Sequence, residues 1–299
     1  MRTKSISKLS KLLGNGNFFE GARWHDNSWW VSDLYARKVL KIDESGDVTI
    51  VTTLEDQPSG LGWLPDNSLL CVSMMKMRLI RITSDGRSEE YKDLSSHGKG
   101  FLNDMAVDRK GRAYVGSAGF GMFDGERPAQ GAVLRVDPDG SVTVASAELD
   151  FPNGIVITPD SKNLIVAETF GPALTIFDID ENGDLKNRRR LITFGRPPSW
   201  SSVEEVVKVN FGPDGCALDR DGYVWVADAI GGKVSRISPS GEIEETIWPP
   251  EGYGVYTCAL GGSDKRTLLM CCAPSFDRDF CIKNSEAAIF TCKVDVPCS

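Results

Sequence analysis

Glu20, Asn153 and Asp214 lie far apart in the chain but occupy the same place in a recurring pattern, and together they have the chemistry of a hard cation site. The pattern aligns on the residue just before a polar turn: Trp24, Trp63, Val107, Ile157, Leu218 and Gly261. Four positions earlier stand Glu20, Ser59, Asn103, Asn153, Asp214 and Thr257, each with an oxygen-bearing side chain and none apolar. Equivalent positions of a rotationally repeated fold face one axis at similar depth, so these oxygens converge. Two carboxylates and the Asn153 amide oxygen, with a charge of about −2, suit a divalent cation whose remaining positions are filled by water. Without a cation, repulsion between the carboxylates raises one of their pKa values. The alternative is a polar, water-filled channel holding no ion.

The elements that must position these residues are short β-type runs: Ser28–Ser32, Ser68–Val72, Arg112–Gly116, Asn163–Ala167, Tyr223–Ala227 and Thr267–Cys271. Each follows a polar turn, and most lead into a second run such as Lys38–Ile42 or Ala132–Val136 and a further turn such as Pro138-Asp139-Gly140. A unit of about four strands every 40–60 residues cannot cover both faces of its sheet alone and must stack on its copies. An all-β, six-bladed β-propeller with a metal site in its central channel is therefore predicted. It forms one domain over 1–299, with about 15–297 building the propeller and the segment around Leu9–Leu13 closing the last blade. Length alone would suggest about two domains, and the repeats override it. The best short helical candidate is Val203–Val209; no alternation of helices and strands supports a doubly wound fold.

Composition narrows the function. The 299 residues carry a net charge of −8, which argues against nucleic acid or an anionic membrane as partner. No apolar run is long enough to span a bilayer, and Met1–Lys8 lacks the apolar core of a secretory leader, so the expected location is cytoplasmic. Eight cysteines without CxxC pairs are expected as buried free thiols, with a disulfide in the last segment as the alternative. GxSxG, HExxH, P-loop and GxGxxG motifs are missing, which leaves serine-hydrolase, zincin and nucleotide-binding chemistry without an anchor. His25 and His97 fall in a turn and a loop and are expected to be solvated. Arg188-Arg189-Arg190 reads as a solvated strand edge.

Glu20-Gly21-Ala22-Arg23-Trp24, Gln57 to Trp63, Asn103-Asp104 with Gly111-Arg112, Pro152 to Ile155 with Ala167 to Phe170, and Pro213-Asp214-Gly215 with Val224 to Ala227 run in order along the chain. Together they resemble the regucalcin (senescence marker protein)/gluconolactonase family. The resemblance implies a six-bladed propeller in which Glu20, Asn153 and Asp214 hold a divalent metal. Oxygen-only ligation favours Ca²⁺, Mg²⁺ or Mn²⁺, and Zn²⁺ also occupies such sites. It further implies a metal-dependent lactonase, in which the ion polarises the carbonyl of a lactone or related cyclic ester and activates the attacking water. Asp214 or Asp104 would take the proton, with Asp214 favoured because strand alternation turns Asp104 away from the side Asn103 faces; a structural role at a blade entry is the alternative for Asp104.

Asn103 is read as a donor to the substrate, and Ser59 and Thr257 as polar lining. Where the family often has an Arg two residues before this Asn, the chain has Phe101. That departure, with Met74, Met75, Met77, Phe120, Met122, Phe123, Trp200, Tyr253 and Tyr256 in loops near the mouth, predicts a partly apolar pocket. Phe101, Trp200 and Tyr256 are its expected substrate contacts, and the segment containing Gly195–Trp200 its expected lid. The competing readings keep the metal but apply it to a phosphoester or a specialised-metabolite intermediate, or make the protein a non-catalytic calcium-binding propeller.

Overall fold

The polar turns that punctuate the sequence are built by aspartates that fold the backbone onto their own side chains. Asp43 Oδ1 accepts from the N–H groups of Ser45 (2.8 Å) and Asp47 (2.9 Å). Asp108 does the same for Lys110 and Arg112, Asp180 for Asn182 and Asp184, and Asp219 for Asp221 and Tyr223. Such turns reverse the chain without help from tertiary contacts, so each repeat carries the local instruction for its own hairpin.

The computed structural model describes residues 8–299; the reading of the chain start as free of a leader falls largely outside them. Twenty-four strands form six four-stranded sheets, the six blades of a β-propeller. The innermost strands are Phe19–His25, Pro58–Trp63, Leu102–Val107, Pro152–Ile157, Pro213–Leu218 and Gly254–Gly261, and each packs on the innermost strands of its two neighbours. The six residues used to align the repeats each fall within one of these strands, five of them at its last position and Trp24 next to it. Blades meet through apolar clusters; Leu70, Val72, Leu102, Val115 and Leu134 join the second to the third. Burial of such side chains contributes about 1.5–3 kcal/mol each.

Five blades are continuous in sequence. The sixth is completed from the chain start, where Ser10–Gly16 pairs antiparallel with Ala287–Lys293 and covers what would otherwise be an open sheet edge. Helix is scarce: one turn at Val203–Val206, and Arg278–Asn284, capped by Asp277, whose side chain accepts from the Phe280 N–H. The second helix escapes a reading of the sequence because it is two turns long and lies between two strands of one blade. All eight cysteines are free, seven of them buried, and no helix among the described residues is long and apolar enough to cross a membrane.

If strand Ser10–Gly16 closes the ring, removing residues 1–16 exposes the edge of Ala287–Lys293 and uncovers Leu13, which packs on the first-blade core. The truncated protein is expected to melt about 10 °C lower, the equivalent of a few kcal/mol in a chain of this size, and to aggregate on refolding. Unchanged thermal melts would show that the ring does not need this strand.

Candidate metal centre and active site

Every innermost strand breaks register at the level of the converging oxygens. The irregularities fall between Glu20 and Arg23, Pro58 and Leu61, Leu102 and Met105, Pro152 and Ile155, Pro213 and Cys216, and Val255 and Thr257. A bulge re-aims side chains locally, and here it turns them toward the axis. The backbones are also close: a Cβ on Gly154 would lie 2.3 Å from the Asp214 carbonyl oxygen, so only glycine fits beside Asn153.

The result is a cavity of about 120 Å³ whose polar floor is Glu20, Ser59, Asn103, Asn153 and Asp214. The sixth oxygen expected there, Thr257, is not in the lining. In the last blade the bulge falls one residue earlier, so Tyr256 faces the cavity while Thr257 packs against Gly215. Phe101 lines the wall, buried, with its ring 5.5 Å from Phe123 and edge-on to Phe151 at 5.7 Å. Trp200 is not brought to the cavity: its ring meets buried Phe120 edge-on at 6.3 Å, one layer behind.

Entry to three of these strands is clamped by an acid. Asp33, Glu168 and Asp228 each end the second strand of their blade and accept from backbone N–H groups just ahead of the floor residue: Phe18 at 3.1 Å, Asp150 at 2.7 Å and Gly212 at 2.8 Å. These are the blades that present Glu20, Asn153 and Asp214. Reading the sequence did not single out this set, although an acid recurring at the end of a second strand was a visible signal. Arg188, Arg189 and Arg190 are exposed on the outermost strand of their blade, as expected, and Arg190 also pairs with Glu168 and so braces the clamp.

The Asn153 amide donates to Thr169 Oγ1 (3.3 Å), which donates to the Pro213 carbonyl (2.7 Å). The same amide also hydrogen-bonds the Asp214 carboxylate, which works against the effect of burial there; its oxygen is the group it has left to offer a cation. Asn103 is oriented the opposite way: its Oδ1 accepts from Ser59 Oγ at 3.2 Å, leaving the Nδ2 protons for a ligand. Tyr256 is buried, which raises its phenol pKa and keeps it a donor.

Asp104 is not in the cavity lining, and both its oxygens are taken. Arg23 donates to Oδ1 at 2.6 Å, and the Ile155 N–H to Oδ2 at 3.2 Å; Arg23 also donates to the Met105 carbonyl at 2.8 Å. This ion pair runs from the first blade to the third beneath the floor. On the far side of it the channel widens to about 650 Å³, but its only acidic side chain there is Asp26, and His25 stacks on Trp63 at 4.0 Å instead of standing in solvent.

Burial pushes Glu20 up from 4.5 to about 8; the Gly21 N–H pulls it back, Asp104 raises it further and Arg23 lowers it. Asp214 is held well above the usual carboxylate range by burial, then by Glu20 and Asp104. Its Oδ1 is buried without a hydrogen-bond partner. Among the described residues no group of three or more His, Cys, Asp or Glu side chains is placed to hold a metal, so a cation here must take an amide oxygen as well. Two mutually repelling carboxylates, an orphaned Asp214 oxygen and the Asn153 amide beside them fit an oxygen-ligated divalent cation.

Comparison with known proteins identifies the family. The family model described as the SMP-30/Gluconolactonase/LRE-like region matches residues 18–273. The chain belongs to that family. It is 30% identical over 167 residues to a 6-deoxy-6-sulfogluconolactonase of Pseudomonas putida, covering 56% of this chain and 52% of that protein. It is 29% identical over 194 residues to regucalcin of Gallus gallus (62% and 59%) and 27% identical over 257 residues to the pentonolactonase XacC of Haloferax volcanii (83% and 79%). The match thus spans little more than half the length of the first two relatives. Among solved structures, a gluconolactonase from Xanthomonas campestris superposes with a TM-score of 0.76 at 22% identity (97% of this chain, 90% of that one). A calcium-binding regucalcin from Agrobacterium tumefaciens superposes at 0.77 and 19% (99% and 97%). At these identities the superpositions establish the fold.

Two measurements test the site's electrostatics. The raised folded-state pKa of Glu20 means that its contribution to stability is complete below 4.5 and lost as pH rises through about 8. Thermal melts of chelator-treated protein are expected to fall across that window, and Glu20→Gln to flatten the fall; pH-independent melts would remove the buried charge conflict. Arg23→Met leaves Asp104 buried without its cation and is expected to cost about 3 kcal/mol in denaturant titrations, with Arg23→Met/Asp104→Asn recovering much of it. Equal losses in both would mean the pair is not coupled.

Proposed function

We propose that this protein is a metal-dependent hydrolase that opens a lactone or related cyclic ester. The observation that carries the reading is the pairing of half-buried Glu20 with buried Asp214, whose Oδ1 is unpaired, at the base of an accessible, aromatic-walled cavity. Family membership, and relatives named as lactonases, support it. Glu20, Asn153 and Asp214 would hold the divalent cation. When bound, it supplies positive charge that polarises an ester carbonyl and lowers the pKa of an attacking water.

The chain's own groups do the rest. Asn103 Nδ2 donates to an oxygen of the ring ester, and buried Tyr256 offers a second donor. Asp214, a ligand through one carboxylate oxygen, would take the proton of the attacking water on its other oxygen and return it to the ring oxygen as the acyl C–O bond breaks, giving the open hydroxy acid. Asp104, held by Arg23 and the Ile155 N–H, acts instead as a brace that fixes the third and fourth blades relative to the first. Phe101, Phe123 and Phe151 exclude water and favour an apolar ring substituent over a hydroxyl-rich one. A phosphoester is disfavoured because the cavity lining contains no Lys, Arg or His. Eight free thiols accord with a reducing, cytoplasmic compartment.

The test is a pH-indicator assay of gluconolactone against alkyl and aryl lactones, with Ca²⁺, Mg²⁺, Mn²⁺ and Zn²⁺ each supplied after chelation. The apolar lactones are expected to give the higher kcat/KM, chelation to abolish turnover, and Asp214→Asn to lower kcat about 10²–10³-fold. Metal analysis after dialysis is expected to show less than one ion per chain in Asp214→Ala. A sugar lactone preferred above all others would overturn the reading of Phe101. Inert lactones with metal bound would favour the calcium-binding propeller.

A further inference from the structure

The exposed aromatic side chains of this protein are gathered at one place. Among the described residues the large exposed aromatics are Phe123, Trp248 and Phe276. Phe123 and Phe276 line the cavity, and Trp248 lines a groove of about 400 Å³ beside it. Cavity and groove share Ala229, Ile230 and Tyr256 as a common wall, and Ile230 is itself exposed. Apolar side chains left in water and grouped on one rim mark a binding surface.

Trp248 is fixed as a platform. Lys233 Nζ lies over its ring, 5.3 Å from the centroid, and over Phe211 at 5.0 Å, while donating to Asp228 Oδ2 at 2.8 Å. Phe211 in turn stacks on Phe194 at 3.8 Å, with the rings 4° from parallel. One face of the indole is thus held by the ammonium, yet 57% of the residue remains exposed. Gly231, Gly232, Gly252 and Gly254 give part of the groove beside it a backbone lining open to a flat group, and Pro249, Pro250, Tyr253 and the acid Glu251 supply side-chain walls.

Size points the same way. Pockets that enclose a drug-sized ligand run to about 300–1,000 Å³, and the cavity of about 120 Å³ admits little beyond a small ring. Together with the groove it reaches that range. We infer that the groove along Trp248 and Ile230 is a second substrate subsite, which takes a planar apolar group, an aryl ring or conjugated chain, carried by the same molecule whose ring ester enters the cavity. The inference rests on the lactone reading only for the identity of the electrophile.

The experiment separates the two. Calorimetry on the metal-loaded protein measures binding of a bare γ-lactam and of the same lactam bearing a naphthyl group on a short arm, while the matching lactones are assayed for hydrolysis. The naphthyl lactam is expected to bind wild type at least about tenfold more tightly than the bare one. Trp248→Ala should lose most of that advantage with bare-lactam binding and small-lactone turnover unchanged, and Trp248→Phe should keep much of it. No naphthyl advantage in wild type, or an advantage intact in Trp248→Ala, overturns the subsite. Wild type that sediments with phosphatidylcholine vesicles through Trp248 but shows no Trp248-dependent lactam binding also overturns it and gives the rim to a membrane surface. If every lactone is inert while the naphthyl lactam binds through Trp248, the subsite stands and the hydrolase reading falls.

Discussion

Three carboxylates stand near the axis of this ring, and only one has a cation of its own. Arg23 is committed to Asp104, which leaves Glu20 and Asp214 facing each other in a buried layer above it. Burying a charge without a partner is among the costliest things a fold can do. The protein tolerates the arrangement because the strands carrying these acids are held from elsewhere. Asp33, Glu168 and Asp228 tie down the entries to the three floor strands, and the Asp104 carboxylate ties the first, third and fourth blades together. The floor is therefore a strained electrostatic site on a braced scaffold, and strain of this kind is what a bound cation relieves.

The same division of labour separates the two ends of the channel. The wider end is lined by residues at the close of the inner strands, such as Trp24, Trp63 and Leu218, and carries one carboxylate at its rim. The narrower end carries the two opposed acids and the aromatic walls. Volume alone would favour the first; the two opposed acids lie in the second. The Arg23–Asp104 pair lies between them with the Asp104 carboxylate buried, and charges removed from bulk water act on one another more strongly.

What was legible in the sequence follows from what is local. Aspartate turns and strand periodicity are encoded within a few residues, so the six blades, and five of the six floor positions, emerge from alignment of the repeats. The sixth shows the limit. An alignment counted back from Gly261 assumes a bulge at constant distance from the strand end, and in the last blade the bulge sits between Val255 and Thr257, which substitutes Tyr256 for Thr257. Pairings between distant blades have no local signature at all. Arg23 and Asp104 are 81 residues apart, and nothing in either motif names the other. Trp200 was misplaced for a related reason: loop length shows that a segment can reach the mouth, but which ring faces the cavity is decided by packing against Phe120.

The walls raise a final point about selectivity. A floor of oxygens has little means of its own to tell one small molecule from another, so on the proposed reading discrimination would come from above it. Phe101 sits two residues from Asn103 on the same strand entry, and its ring is fixed by Phe123 and Phe151 from neighbouring loops. Replacing a guanidinium by a packed phenyl ring at that position removes hydrogen bonds to hydroxyl groups and adds favourable burial of hydrocarbon. Because Phe101 is almost wholly enclosed, reintroducing an arginine there by a single substitution would bury an unpaired charge against aromatic rings. Recovery of a polar pocket would need the surrounding rings to change as well, so the apolar character of the wall is shared among its rings and is not carried by one residue.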